Sequence, residues 1–158
     1  MPLSVKRVTL WRADVDNQPG VLARTLEPLA AAGGSLRVVM GYRLPQMHER
    51  AAIELHPVSG KRQTEAAQRA GLTAAGIPCL LVEGDDRPGF GAAMARALAD
   101  AGVNIAFLMA QVVGRRFSAL LGFDDEAALD AGARAVKASA RPAAGTSRRA
   151  ARKTSRRR

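Results

Sequence analysis

The sequence contains one segment twice, and this repeat constrains the fold more than any other feature. The pentapeptide DNQPG at residues 16–20 returns as DDRPG at residues 85–89, and the register then holds without a gap as far as Met40 and Met109. The matches between these points are Leu29-Ala30 with Leu98-Ala99, Ala32-Gly33 with Ala101-Gly102, and Leu36 with Ile105. A register held over this length indicates an internal duplication. We therefore predict two copies of one small unit.

The chain length fits this division. Its 158 residues give two units, which we place at 1–75 and 76–138. Units of this size are close to the lower limit for an independent hydrophobic core, so we expect the halves to pack on each other. Hydrophobic residues form 47% of the chain and aromatic residues only 4%, which predicts a core built mainly from Ala, Leu and Val.

The net charge of +10 is concentrated at one end of the chain. Residues 141–158 contain 8 of the 24 basic residues and no acidic residue, whereas residues 1–140 contain 16 basic and 14 acidic residues. A segment of Ala, Gly, Ser, Thr, Pro and Arg buries too little apolar surface to fold. We predict a disordered basic tail at 139–158. Its expected partner is nucleic acid, through nonspecific contacts of 141–158; the alternative is a solubilising extension.

Several function classes are disfavoured. The single cysteine, Cys79, cannot form an intramolecular disulfide and is typical of a reducing compartment. No apolar run approaches the length needed to span a bilayer, so we expect neither a transmembrane helix nor a membrane partner. The first residues lack the apolar core of a signal peptide, which makes the cytoplasm the expected location.

His48 and His56 have no ligand partners at metal-binding spacing. We expect no metal, no cofactor and no enzymatic activity, because no catalytic constellation is present.

Hydrophobic spacing predicts the same order of elements in both units. In the first unit these are a strand at 5–15, a helix at 21–32, strands at 35–43 and around 51–55, a helix at 61–70 and a short strand at 72–75. In the second unit they are a strand at 78–83, a helix at 89–101, strands at 104–112 and 117–123, and a helix at 125–137. No fourth strand is predicted after Lys137.

The predicted fold class is α+β. Each unit is a βαββα(β) module, and two right-handed crossovers onto one antiparallel sheet give the ferredoxin-like fold with both helices on one face. The third strands are expected to align across a one-residue deletion, with Ile53 and Leu55 matching Leu121 and Phe123.

The repeated turn joins the first strand of each unit to its first helix. Asn17 or Asp86 can hydrogen-bond to nearby backbone, and the proline that follows suits the first helical position. Glycine allows close approach of the backbone to a ligand. The free N–H groups at the start of the helix favour a carboxylate or another anion.

These motifs resemble the ACT domain. The second unit carries the Asp86–Gly89 turn, a helix, and then the Gly102-Val103-Asn104-Ile105 stretch that is typical of that family. The first unit has Gly33-Gly34-Ser35-Leu36 at this position and departs from the pattern. The resemblance covers residues 5–138 and extends to small proteins made of two ACT domains without an enzyme. It implies a regulatory module that binds an amino acid or a similar small metabolite at module interfaces.

The resemblance also implies the ligand-binding residues. They are Asn17, Gln18, Gly20, Val21, Leu22 and Ser35 in the first unit, and Asp86, Arg87, Gly89, Phe90, Gly91 and Asn104 in the second. We expect the helix N–H groups to bind a carboxylate, and Asp86 with Asn104 to bind an ammonium group. The second unit is the better candidate, because Asn17 replaces the acid in the first and Gly91 leaves more room than Leu22.

Two other functions are compatible with this fold. The chain could be a regulatory subunit that docks on an amino-acid biosynthetic enzyme, using a free sheet edge. It could also be an RNA-recognition module, but such a sheet needs aromatic residues on its central strands, and residues 36–40 contain none. A homodimer is the default assembly for a self-complementary surface.

The tail hypothesis gives the first testable prediction. Deletion of residues 141–158 should abolish a salt-sensitive DNA mobility shift, because phosphate contacts of this kind release counterions and weaken as salt rises. The measurement is a gel-shift titration at two salt concentrations. A shift that persists after the deletion would assign DNA binding to the body of the protein.

Overall fold

The computed structural model describes residues 2–140. Most of the predicted tail lies outside the described residues; of its first two residues, Ser139 ends a helix and Ala140 caps it. The strands are β1 Ser4–Val8, β2 Trp11–Asp16, β3 Val38–Leu44, β4 Met47–His56, β5 Thr73–Ala74, β6 Cys79–Asp85, β7 Phe107–Val113 and β8 Arg116–Gly122. The helices are α1 Val21–Ala31, α2 Gly60–Arg69, α3 Phe90–Asp100 and α4 Glu126–Ser139. None of the helices described is long and apolar enough to cross a membrane.

The strands form two four-stranded antiparallel sheets. Their orders are β3-β4-β2-β5 and β1-β6-β8-β7. Each order is that of the ferredoxin-like fold, with the two strands that flank the first helix separated by the third strand. The predicted fold class and the predicted order of elements after the first strand are confirmed.

The N-terminal strand is exchanged between the two halves. The prediction of one strand at 5–15 is wrong, because β1 pairs with β6 of the second sheet while β2 pairs with β4 and β5 of the first. The chain passes between the sheets at Leu10, which is fully buried and accepts a 2.7 Å hydrogen bond from the N–H of Ala75. Apolar alternation continues through this crossing, so the sequence pattern does not reveal it.

This exchange supplies the fourth strand of the second sheet. The fourth position of the second sheet is occupied by β1, so β6 is covered and β1 is the edge strand on this side. Sheet membership therefore places residues 4–8 with the second half, whereas the expected boundary at residue 75 groups them with the first. Arg7 also binds α4, through ion pairs with Glu126 and Asp130.

Three apolar clusters define four layers. One cluster joins the first sheet to α1 and α2, and a second joins the second sheet to α3 and α4. The third contains residues of both sheets, including Val38 of β3, Leu81 of β6 and Leu120 of β8. Since neighbouring residues of a strand point to opposite faces, Leu80 and Val82 meet the helices while Leu81 meets the other sheet. The sheets thus pack face to face with the helices outside.

The strand pairings correct the predicted alignment of the third strands. Leu55 lies opposite Trp11, and Leu121 lies opposite Leu80, which is the counterpart of Trp11 in the register of the repeat. Leu55 therefore corresponds to Leu121 and not to Phe123, so the deletion spans three positions instead of one. The alternating apolar residues of β8 fit either register, because the two registers differ by an even number of positions, so hydrophobicity alone could not decide between them.

The corrected alignment reveals a buried ion pair in only one half. Glu54 is 2% exposed, and its carboxylate accepts a 2.9 Å hydrogen bond from Arg12 across the β2–β4 pair. Arg12 also donates to Asp14 and to the hydroxyl of Tyr42. Burial lowers the pKa of Arg12, but its hydrogen bonds to Asp14 and Glu54 raise the pKa above its ordinary value overall.

The second half has an apolar pair at the equivalent positions. Leu81 and Leu120 stand where the first half has Arg12 and Glu54. Nearby, burial raises the pKa of Cys79 to about 12, with a contribution from the charge of Glu54. The thiol is therefore protonated at neutral pH and packs as a small apolar group, as the sequence predicts.

Because the second half shows that leucine fits these positions, the ion pair can be tested by substitution. Arg12→Leu alone should lower the free energy of unfolding by about 3–5 kcal/mol, since it leaves a buried carboxylate without its cation. Arg12→Leu combined with Glu54→Leu should recover most of this loss. Urea denaturation of the variants measures the effect. A double variant no more stable than Arg12→Leu would contradict this account.

Candidate ligand-binding clefts

The two repeated turns have the same backbone geometry. Gly20 and Gly89 precede α1 and α3 with φ values of 85° and 81°, in the left-handed region that favours glycine. The turns are anchored alike, since the N–H of Asn17 donates to Glu49 at 2.7 Å and that of Asp86 donates to Arg115 at 2.8 Å. The prolines precede the capping glycines instead of opening the helices, which corrects the predicted position.

Each turn forms one wall of a cleft between the first helix of its module and the sheet. The first cleft has a volume of about 280 Å³ and is lined by Asn17, Gln18, Gly20, Val21, Leu22, Gly41, Tyr42, Arg43, Ala51, Ala52 and Ile53. The second has a volume of about 250 Å³ and is lined by Asp86, Phe90, Gly91, Met94, Ala110, Gln111, Val112, Phe117 and Ala119. With the corrected alignment, the two clefts occupy equivalent places in the two modules.

Eight of the predicted site residues line these two clefts. Gly89 caps α3, and Arg87 lies beside the second cleft, with its guanidinium carbon 5.4 Å from the centre of the Phe90 ring. Arg87 also lines a neighbouring cavity of about 290 Å³ together with Asp85 and Ala140.

Asn104 and Ser35 lie far from the turns of their own modules. Strand β6 runs from Cys79, near the start of β7, to Asp85, near the end of β7. Asn104 precedes β7 and Asp86 follows β6, so the two are separated by the length of a seven-residue strand, about 20 Å. Asp86 and Asn104 of one module therefore cannot bind the same ammonium group, so the predicted joint contact requires a second copy of the module. In the first module, Ser35 and Asn17 likewise lie at opposite ends of the sheet, because Asn17 follows β2 and Ser35 precedes β3.

The edge strands β3 and β7 contribute cleft residues that sequence reasoning missed. Residues 41–43 and 110–112 form one wall of each cleft. The signal was present, because both segments directly follow the matched residues Met40 and Met109. The cleft residues of β4 and those of β8 are also equivalent between the two modules. Their equivalence could not be found from the sequence, because it requires the three-residue deletion that the strand pairings show.

The two turns use their first polar residue differently. The side-chain amide of Asn17 donates a 3.1 Å hydrogen bond to the carbonyl of His48, so it is committed to the fold. The carboxylate of Asp86 forms no hydrogen bond or ion pair within residues 2–140. Among these residues it therefore stands at the second cleft as an unpaired anion.

The walls of the second cleft are largely apolar. The Phe90 and Phe117 rings are tilted by 40° with centroids 4.7 Å apart, and Met94 is buried beneath them. The second cleft therefore combines one unpaired carboxylate with an aromatic and aliphatic wall. Elsewhere in the described residues, no three His, Cys, Asp or Glu side chains come together in a way that could hold a metal ion.

Comparison with known proteins identifies the fold. No protein-family model matches the sequence, and no curated protein matches it. Among solved structures, the regulatory subunit of aspartate kinase from Thermus thermophilus is similar with a TM-score of 0.59 and 20% identity, covering 88% of this chain and 97% of that one. Protein BT0572 from Bacteroides thetaiotaomicron is similar with a TM-score of 0.70 and 13% identity, covering 85% and 89%.

The regulatory subunit of aspartate kinase from Thermus flavus is also similar, with a TM-score of 0.55, 20% identity and coverage of 87% and 95%. The aspartate kinase domains are of the ACT type. The chain has the ACT-type fold. At sequence identities of 13–20%, the likeness establishes the fold alone. It confirms the ACT-type fold that the two sequence motifs imply.

The different use of Asn17 and Asp86 gives a paired prediction. Asn17→Asp should lower the free energy of unfolding by about 0.5–1.5 kcal/mol, because it replaces an exposed donor to the His48 carbonyl with a second acceptor. Asp86→Asn should change the free energy by less than about 0.5 kcal/mol, since no partner is lost. Chemical denaturation of both variants provides the test, and equal losses would contradict the assignment.

Proposed function

We propose that this protein is a non-catalytic regulatory module that binds an amino acid with an apolar side chain in its second cleft. The observation that carries the proposal is the unpaired carboxylate of Asp86 beside an apolar wall. An amino acid offers the complementary groups, an ammonium and a hydrocarbon side chain. No other position in the two clefts combines these features.

The start of α3 supplies the contact for the carboxylate of such a ligand. The N–H groups of Phe90 and Ala93 bond to the backbone of Arg87 and Gly89, whereas those of Gly91 and Ala92 have no partner within the turn. The helix has no side-chain cap and no acidic residue in its first turn. Free N–H groups at a helix start favour an anion. Because Gly91 has no side chain, a carboxylate can approach them closely.

The size of the cleft limits the ligand. Its volume of about 250 Å³ is slightly below the usual range for small-molecule pockets, which begins at about 300 Å³. A free amino acid suits this space, and a nucleotide cofactor does not. The ligand side chain would lie against Phe90, Met94 and Phe117, while its ammonium group would meet Asp86 at the mouth.

The comparisons support a regulatory role. Two of the similar structures are named as regulatory subunits of aspartate kinase, and the chain covers nearly all of each. We propose that this protein likewise acts on an enzyme partner, to which it would signal the concentration of its amino acid. Co-purification of an enzyme that changes activity with the ligand would test this part of the proposal.

The open edge of the second sheet supports a homodimer. Among the described strands, β7 pairs only with β8, and the residues of β7 carry no charge. Leu108 and Val112 are about half exposed on it. Natural edge strands usually carry charges or prolines that prevent pairing, so an unprotected edge favours a second copy. Residues 110–112 belong to β7 and also line the second cleft. Antiparallel pairing of the β7 strands of two protein copies would therefore bring their second clefts together.

The binding proposal predicts a selective thermal response. Leucine, isoleucine, valine, methionine or phenylalanine should raise the melting temperature of the full chain, because a ligand that binds only the native state stabilises it. Asp86→Asn and Gly91→Leu should weaken the response, the first by loss of the ammonium partner and the second by closing the mouth. Differential scanning fluorimetry measures the effect.

Deaminated analogues are the matched ligand control. 4-Methylpentanoate has the hydrocarbon chain and carboxylate of leucine without the ammonium, and should give little response. The proposal would be overturned by a flat response to every amino acid, or by an undiminished response of Asp86→Asn.

A further inference from the structure

The first cleft has the same position as the second but the opposite charge. Asn17 replaces the acid Asp86, and Arg43 of β3 replaces the apolar Val112. Just after the capping glycine, in the first turn of α1, Arg24 occupies the position that is Ala93 in the second module. The two modules thus share the position of the cleft, but its mouth is basic in the first and acidic in the second.

Arg24 lies over the turn and does not extend away along the helix. Its Nη1 atom would be 3.3 Å from a Cβ placed on Gly20, a residue that lines the first cleft. Arg43 reaches the same cleft from the edge strand. Arg43 therefore lines a cavity of about 280 Å³, and the Nη1 atom of Arg24 lies beside Gly20, which lines the same cavity.

Within the described part of the chain, these two cations are not neutralised. Among residues 2–140, neither Arg24 nor Arg43 forms an ion pair or a side-chain hydrogen bond. The two acids of β2 are occupied, since Asp14 pairs with Arg12 and Asp16 pairs with Arg50 at 2.5 Å. On β4, the strand next to β3, Glu49 forms no ion pair among the described residues and does not line the first cleft. None of the described residues that line the first cleft carries a carboxylate to receive an ammonium group.

We propose that the first cleft binds a small organic dianion. One anionic group would meet Arg24 and the other Arg43, because a guanidinium group binds a carboxylate or phosphate through paired N–H donors. The carbon chain between them would lie against Val21 and Ile53. The protein would then have two unlike inputs, a zwitterion in one module and a dianion in the other. This proposal uses different residues from the proposed amino-acid site, so either can fail alone.

Isothermal titration calorimetry of the full chain tests the dianion site. The probes are succinate, which has two carboxylates, and 3-phosphonopropionate, in which a phosphonate replaces one of them, each at constant ionic strength. Saturable binding of at least one is expected, and the tighter of the two identifies the anionic group. Arg24→Gln and Arg43→Gln should each weaken binding by about tenfold, the loss expected for one charged hydrogen-bonding contact of roughly 1.4 kcal/mol.

The control variant is Arg96→Gln. Arg96 is an exposed arginine of α3 without an ion pair among the described residues, so its removal changes the net charge equally. It should leave dianion affinity unchanged within about twofold, and so should Asp86→Asn. The absence of saturable binding, or an equal loss in Arg96→Gln, would overturn the dianion site. Loss of leucine binding with intact dianion binding would count against the second cleft alone.

Discussion

The exchange of β1 between the two sheets is the constraint on which the rest of the structure depends. Residues 4–8 complete the second sheet, and the same chain then crosses at Leu10 to begin the first. Neither sheet has four strands without this crossing and the return crossing after β5. Because both halves are close to the lower size limit for a stable core, we infer that neither would be stable without the other.

The face-to-face packing of the sheets makes the two clefts part of one body. The Nη2 atom of Arg37 donates to both carboxylate oxygens of Glu83 at 2.6 Å. This bridge joins the start of β3 to the end of β6 just before the second turn. The duplicated counterpart of this bridge is lost, since Ala106 replaces the arginine and Asp14 pairs with Arg12. The interface between the two sheets is therefore asymmetric.

Much of the fold could be predicted because the repeat and local hydrophobic spacing fix element type. The repeated turn located both helix starts and eight residues of the clefts. Spacing could not reveal the sheet exchange, because alternation through Val8 and Leu10 is the same whichever sheet a strand joins. It also could not fix the register of β8, where Leu121 and Phe123 fit equally well.

The site was harder to predict because it depends on what each polar group binds. Asn17 and Asp86 are equivalent in sequence, yet only the structure shows that one is bonded to the His48 carbonyl and the other has no partner among residues 2–140. Asn104 was assigned to the site by the ACT resemblance. Strands β6 and β7 run in the same direction, and Asp86 follows the end of β6 whereas Asn104 precedes the start of β7. The two residues therefore lie at opposite ends of the sheet.

The most direct test of the account is a titration of the ¹⁵N-labelled protein with leucine, followed through its backbone amide resonances. The account predicts saturable shifts at Gly91, Ala92 and residues 110–112. The equivalent amides of the first cleft, at residues 22 and 41–43, should remain unchanged. Shifts centred on the first cleft, or no shifts at saturating leucine and the other apolar amino acids, would contradict the claim that the second cleft is the amino-acid site.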